Sequence, residues 1–398
     1  MKSEFGFLCI SCEFKGDDFI REVANLGHRI YLITSEDKRD EPWPYDLITE
    51  SFYMPEKDPR KWNLDDMKLG VAHLMREAKI DRVIALDDYD VHKAANLREE
   101  FRMPGMGETT ARHFYDKLAM RIQANDAGIP VPGFSALFND ADIHRFLNNS
   151  HSPWFVKPRS DAGTLGIRRV ESEEAFWELS ESLGESRHHY LIEEFKSGDV
   201  CHVDSLSHES EIVFTRSSQY LNPPFDIAHG GGIFQSCTLD VGDTRHKQLN
   251  ALNKKVLAAF GMKHGASHSE YIMHEGEPLF LETSARVGGA NLSNMVHIAS
   301  DVNLWSEWAK IEDAVLQKSS YAAPESKPGH AGIIASLSRH ARPDYRQYTD
   351  SEIAWTLDKD HHVGFIFSHN NQDRVLNMLE KYSKIIAEDY HAAVPLKE

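Results

Sequence analysis

The stretch Gly128-Ile129-Pro130-Val131-Pro132 constrains the folding of this chain more than any other. Two prolines in three residues remove amide protons and fix φ, and the glycine is suited to close a helix. The helix expected over 109–127 must end there, and no regular element runs through. The patterns on its two sides differ. Before it, apolar runs predict strands over 5–10, 29–34 and 81–86, alternating with helices over 16–26, 66–79 and 91–101, the order of a parallel α/β layer. After it the pattern turns to hairpins. Strands are expected over 153–157 and 166–170 around a glycine-containing turn, then a helix over 172–183 and a strand over 190–194. An antiparallel stretch over 204–215, a loop over 222–232 and a helix over 247–260 follow. Strands over 267–273 and 278–282 flank the turn His274-Glu275-Gly276-Glu277, and strands over 331–336 and 364–368 precede a terminal helix over 372–388.

The 398 residues exceed what one core organises, so two to four packed units are expected. The charge is 44 Lys and Arg against 62 Asp and Glu, a net −18 that repels nucleic acids and anionic membranes. Lys2 and Glu4 interrupt the N-terminal apolar run, unlike a signal peptide, and no stretch is long enough to span a bilayer. Four cysteines are too few to staple a chain of this size. A cytoplasmic location is therefore expected, and the acceptor pattern Asn148-Asn149-Ser150 has no meaning there.

Three places are suited to chemistry. In residues 154–167, Lys157 ends an apolar strand and is followed by a small-residue loop containing Gly163 and Thr164, so backbone amides and a fixed cation could meet phosphate oxygens. The ordinary alternative is a hairpin with a surface lysine, and no Gly-Lys-Ser/Thr makes it a P-loop. Glu270 and Glu282 lie on the two strands of one predicted hairpin, where facing carboxylates suit Mg²⁺, a hard cation that prefers oxygen. An exposed acidic sheet face is the alternative. Arg286, just before Gly288-Gly289, could grip a carboxylate or phosphate bidentately, or form a structural salt bridge.

Taken in order, Lys117, the 127–132 stretch, Val156-Lys157-Pro158 with its glycine loop, residues 191–199, Glu270 and Leu281-Glu282-x-Ser284-x-Arg286 resemble the ATP-grasp superfamily over residues 109–310. His268-Ser269-Glu270 and residues 282–289 look most like its carboxylate-amine ligase branch, the L-amino acid ligases. The resemblance implies an α/β and α+β multidomain chain with an ATP-grasp fold. Its parts would be a Rossmann-like domain over 1–108, a connecting helix over 109–132, a lid over 133–195, a catalytic subdomain over 196–312 and an α+β tail over 325–398. It also implies an enzyme that uses ATP and Mg²⁺ (or Mn²⁺) to join a small carboxylate and an amine through an acyl phosphate. Lys117 and Lys157 would meet the phosphates under Gly163 and Thr164. Glu193, Glu194 and Phe195 would form the adenine hinge, through backbone groups and the Glu193 carboxylate, with Asp199 or His202 near the ribose. Glu270 and Glu282 would hold the metal, and Arg286 the reacting carboxylate or the acyl phosphate. Dimerisation is common in such enzymes, and no feature of this sequence requires it.

Ser284 stands where many ATP-grasp enzymes carry Asn, so the second metal would keep fewer protein ligands or take Ser284 as a weak one. His229-Gly230-Gly231-Gly232 resembles an esterase oxyanion loop, but the chain has no Gly-x-Ser-x-Gly elbow. It is read as a loop near the substrate pocket, in which His229 and Gly288-Gly289 would face substrate. Rival readings are a carboxylase-related or purine-pathway ligase, a nucleotide-binding protein without turnover, and an oxidoreductase using Cys9-Ile10-Ser11-Cys12.

Overall fold

The computed structural model describes residues 4–161 and 163–392. The chain begins with β1 (Gly6–Ser11), α1 (Asp17–Asn25), β2 (Arg29–Ser35), β3 (Glu50–Met54), α2 (Leu64–Leu74), β4 (Arg82–Ala85) and α3 (Asp88–Glu100). β1 and β2 are buried along almost their whole length, as expected of strands covered on both faces. The four strands pair in parallel in the order β3-β2-β1-β4, so the sheet opens between β1 and β4 at its carboxyl edge. β3 escapes the sequence pattern because it is an edge strand with only Met54 buried.

The helix expected over 109–127 is two helices, α4 (Glu108–Arg112) and α5 (Lys117–Asp126). Asp116 breaks it: the carboxylate accepts the amides of Leu118 and Ala119 at 3.1 and 3.3 Å, capping α5. Lys117 thus stands in the first turn of a helix, not in its middle.

Next come β5 (Phe134–Ala136), α6 (Asp140–Asn149), β6 (Trp154–Pro158), β7 (Arg168–Val170), α7 (Glu173–Leu183) and β8 (Tyr190–Glu194), whose strands form an antiparallel sheet in the order β5-β8-β6-β7. Trp154, Val156 and Ile192 pack with Ile143, Leu147 and Phe176 of the two helices. Because strand side chains alternate, Phe155 and Lys157 project from the opposite face.

The remaining strands make one eight-stranded antiparallel sheet. Its elements are β9 (Asp199–His208), β10 (Glu211–Tyr220), α8 (Pro224–Gly230), β11 (Phe234–Thr238), α9 (Thr244–Phe260), β12 (Gly265–His274), β13 (Glu277–Ser284), α10 (Leu292–Ser300), α11 (Leu304–Gln317), β14 (His330–Leu337), β15 (Ile353–Thr356), β16 (His362–His369) and α12 (Gln372–Ile385). The strand order is β13-β12-β9-β10-β11-β14-β16-β15. The strands of the tail therefore continue this sheet through the pairing of β11 with β14. The loop expected over 222–232 contains the short helix α8. Among the described residues, no helix is long and apolar enough to cross a membrane.

Gly198 lies between β8 and β9 with φ +150°, and a Cβ there would overlap the carbonyl of Met273. Gly198→Ala is expected to lower the unfolding free energy by roughly 2 kcal/mol, read as a lower urea midpoint at unchanged slope.

Candidate active site

The three sheets enclose a cavity of about 1140 Å³. Lys117 lines it from α5 and Gly163 from the turn between β6 and β7, Glu270, Glu282 and Ser284 line it from β12 and β13, and Arg286 and Gly289 from the segment after β13. The pairing of β12 with β13 sets Glu270 directly opposite Glu282, and β12 shifts register immediately afterwards. Residues paired across an antiparallel ladder leave it on the same face, so the two side chains start side by side; Glu270 then meets Tyr220 and Glu282 meets Lys117.

Each cation at this cavity has an anionic partner. Lys117 Nζ lies 2.8 Å from Glu282 Oε2 and donates to the carbonyl of Asp161 at 2.7 Å. Burial alone would lower the Lys117 ammonium, but Glu282 outweighs it and holds it above its usual value. Arg286 donates to Asp88, the residue at which α3 starts, and to the carbonyl of Val287 at 2.8 Å. Burial would raise Asp88, yet Arg286 keeps its carboxyl below the usual range. Asp88 was not legible as a site residue, although the carboxyl edge of a parallel sheet at its opening is where such residues gather. Arg159 forms two bonds to Asp116, at 3.1 and 2.5 Å, and Arg60 reaches Asp161 of the lid at 3.2 Å.

Lys157 is not among the residues that line the cavity, although its neighbour Pro158 is, and it bonds to Glu193 Oε1 at 2.5 Å. The other Glu193 oxygen accepts from Arg121 Nη2 and Nε at 2.6 and 2.7 Å. Glu193 is 1% exposed, and its carboxyl lies below its usual range because Arg121, then Lys157, overcome the effect of burial. Its carboxylate is therefore taken, which corrects the expectation that it meets adenine. The amides of Glu194 and Phe195 donate to the carbonyls of Gly133 and Pro153, at 2.8 and 3.2 Å. Asp199 opens β9 with a largely exposed side chain 3.9 Å from Arg245. Thr164 lies in the turn after Gly163, where its carbonyl accepts the Ile167 amide at 3.3 Å.

His202 does not reach the cavity. It is fully buried, with Nδ1 3.0 Å from Asp204 and Nε2 2.8 Å from Ser236 Oγ, so the ribose role expected of it is withdrawn. Asp204 also bonds His268 Nδ1 at 2.9 Å, and His268 lies 3.6 Å from Glu270, which accepts the Tyr220 hydroxyl at 2.8 Å. Burial would lower His268, but Asp204 and Glu270 raise it to about 9. Gly288 lies against this chain: a Cβ there would stand 2.7 Å from Asp204 Oδ1, which leaves no room for any side chain.

His229 does not face the cavity either. Its ring stacks on Phe225 at 4.0 Å, and Nε2 lies 3.2 Å from the carbonyl of Ile167, so it joins α8 to the lid turn. Cys9 and Cys12 belong to different apolar clusters, both buried and free, and burial pushes the Cys9 thiol up to about 12. That removes the oxidoreductase reading, which needs a paired and acidic thiol.

The donors present fit a hard divalent cation. Two register-paired carboxylates and the Ser284 hydroxyl line one cavity, and that buried hydroxyl, near Asp88, makes no hydrogen bond of ordinary length.

No family model matches the chain. It is similar to an L-arginine-specific L-amino acid ligase of Bacillus subtilis, 28% identical over 251 residues, and the match covers 61% of this chain and 60% of that protein. Among solved structures, an L-amino acid ligase from Bacillus licheniformis superposes over 100% of both chains with a TM-score of 0.75 at 16% identity. An N5-carboxyaminoimidazole synthetase from Staphylococcus aureus, complexed with ADP, superposes over 96% of this chain and 98% of its own with a TM-score of 0.71 at 13% identity. The fold is the ATP-grasp fold. Within that class the chain resembles the carboxylate-amine ligases that join amino acids.

The raised His268 fixes a sign for pH. Its contribution to stability is complete below the ordinary histidine value and is lost as pH rises toward about 9. The thermal midpoint of the ligand-free protein is expected to fall across pH 6.5–9. In His268→Gln the fall over that window should be smaller.

Proposed function

We propose that this chain is an ATP-dependent ligase that joins the carboxylate of an amino acid, or an amino-acid-like acid, to an amine. The observation that carries the reading is the direct pairing of Glu270 with Glu282 across β12 and β13, in the cavity that Lys117 and Arg286 also line. The similarity to amino acid ligases supports the substrate class. The division of the chain into units over 1–108, 109–132, 133–195, 196–312 and 325–398 is proposed with it.

A substrate carboxylate oxygen attacks the γ-phosphorus of ATP, and the bond to the ADP oxygen breaks. An amine then attacks the acyl carbon, phosphate leaves with the electron pair of the broken C–O bond, and the nitrogen loses a proton. Glu270 and Glu282, with Ser284 as a weak third ligand, would hold Mg²⁺ or Mn²⁺, which neutralises phosphate charge when bound. The chain's own work is alignment and charge compensation. Lys117 and Lys157 hold phosphate oxygens, while Gly163 and Thr164 lie in the loop that covers them. The hinge at Glu194 and Phe195 borders the base, and Asp199 the ribose. Arg286 turns from Asp88 to the reacting carboxylate, and Gly289, with open space beside it, keeps its approach open, while Gly288 packs on Asp204 and His268. Closure of the lid keeps water from the acyl phosphate.

Incubation with ATP, Mg²⁺ and mixed amino acids is expected to release ADP and phosphate in a manner that depends on both an acid and an amine. If stimulation comes from bicarbonate and a purine-pathway amine, the carboxylase-related reading replaces this one. Glu282→Gln should lose turnover by about 100-fold or more while a thermal shift with ADP persists. Equal turnover of mutant and wild type would remove Glu282 from the metal site.

A further inference from the structure

Arg121 is the largest of the fully buried side chains, and nothing in the reaction described above uses it. It stands one helical turn beyond Lys117 on α5, so the two share a face. Its guanidinium reaches two other elements. Nε and Nη2 both meet Glu193 Oε2 on the lid strand β8, and Nη1 donates to the carbonyl of Leu281, the residue before Glu282 on β13. The remaining Glu193 oxygen bonds Lys157. A single buried side chain thus ties the lid to the strand that carries a proposed metal carboxylate.

A buried ion pair is weak support for stability, because apolar residues of equal volume often do as well. What an apolar pair could not do is divide the charge of Glu193. With Arg121 present, the carboxylate has two counterions, and Lys157 leaves one of its contacts without baring an unpaired buried charge. Without Arg121, Lys157 is the sole counterion of a carboxylate that is 1% exposed, and moving it toward phosphate leaves that charge uncompensated.

We infer that Arg121 is a positioning residue for nucleotide binding: by sharing Glu193 it keeps Lys157 available to the phosphates. The inference rests on the ligase reading, in which Lys157 meets ATP.

The test is the affinity for ADP, with and without Mg²⁺, measured by calorimetry on the full chain. Arg121→Met is expected to bind about tenfold more weakly than wild type, the effect of one charge-assisted contact. Two variants should restore binding to within about threefold: Arg121→Lys, which keeps the positive charge, and the double variant Arg121→Met with Glu193→Gln, which removes the charge that captures Lys157. The double variant leaves no carboxylate buried without its guanidinium, and the Lys157 ammonium that it frees is 12% exposed, so it remains informative if Arg121→Met does not fold. A purely structural role predicts no rescue by the second substitution. The inference is overturned if Arg121→Met binds as wild type does, or if a folded double variant binds tenfold more weakly than wild type. Failure of wild type to bind ADP would sink the ligase reading together with it, whereas wild-type binding without this rescue pattern would sink the inference alone.

Discussion

The interaction on which the rest of the site depends is the pairing of the cations in and beside the cavity with carboxylates, three of them distant in the chain. Lys117 meets Glu282, Lys157 meets Glu193, and Arg286 meets Asp88. Charges this far from water cannot stand alone, since an uncompensated buried ion costs several kcal/mol. An anion that enters such a cavity takes a cation from an existing partner; it does not fill a vacant positive field. A divalent cation at Glu282 and a phosphate at Lys117 therefore assist each other, because each releases the other's partner. In a chain with a net charge of −18, this arrangement makes room for a polyanion without an exposed basic surface.

The fold places these pairs through backbone regularities. Alternation along β6 sends Trp154 and Val156 into the apolar cluster with α6 and α7 and Lys157 to the opposite face, where Glu193 meets it. The ladder between β12 and β13 sets the two glutamates opposite each other. The open carboxyl edge of the first sheet contributes Asp88, so the first hundred residues supply part of the site as well as its support.

The parts legible in the sequence were those written in local pattern. The strand, turn and strand around His274-Glu275-Gly276-Glu277 gave the hairpin, and with it the pairing of Glu270 with Glu282. The alternation of strands and helices gave the first sheet, less its half-exposed edge strand. What the pattern could not give was which residue answers which charge. Arg286 and Asp88 are 198 residues apart in the chain, and Arg121 and Glu193 are 72 apart. Glu193 and His202 were misread for that reason: a polar residue in a binding segment looks the same whether it faces a ligand or a buried partner. The break before Lys117 was local and could have been found, since an aspartate directly before a helical run is a cap signal.

The eight-stranded sheet has a consequence for how the chain is made. β11 lies between β10, its close neighbour in sequence, and β14, which is synthesised only after α9, two further strands and two more helices. Until His330–Leu337 has left the ribosome, the edge of Phe234–Thr238 carries unpaired amides and carbonyls beside an apolar face. The order of synthesis therefore creates a window in which a half-built sheet is open to pairing with another chain. The sheet closes late, by a contact distant in sequence, and its completion joins the strands of Glu270 and Glu282 to those of the tail in one sheet.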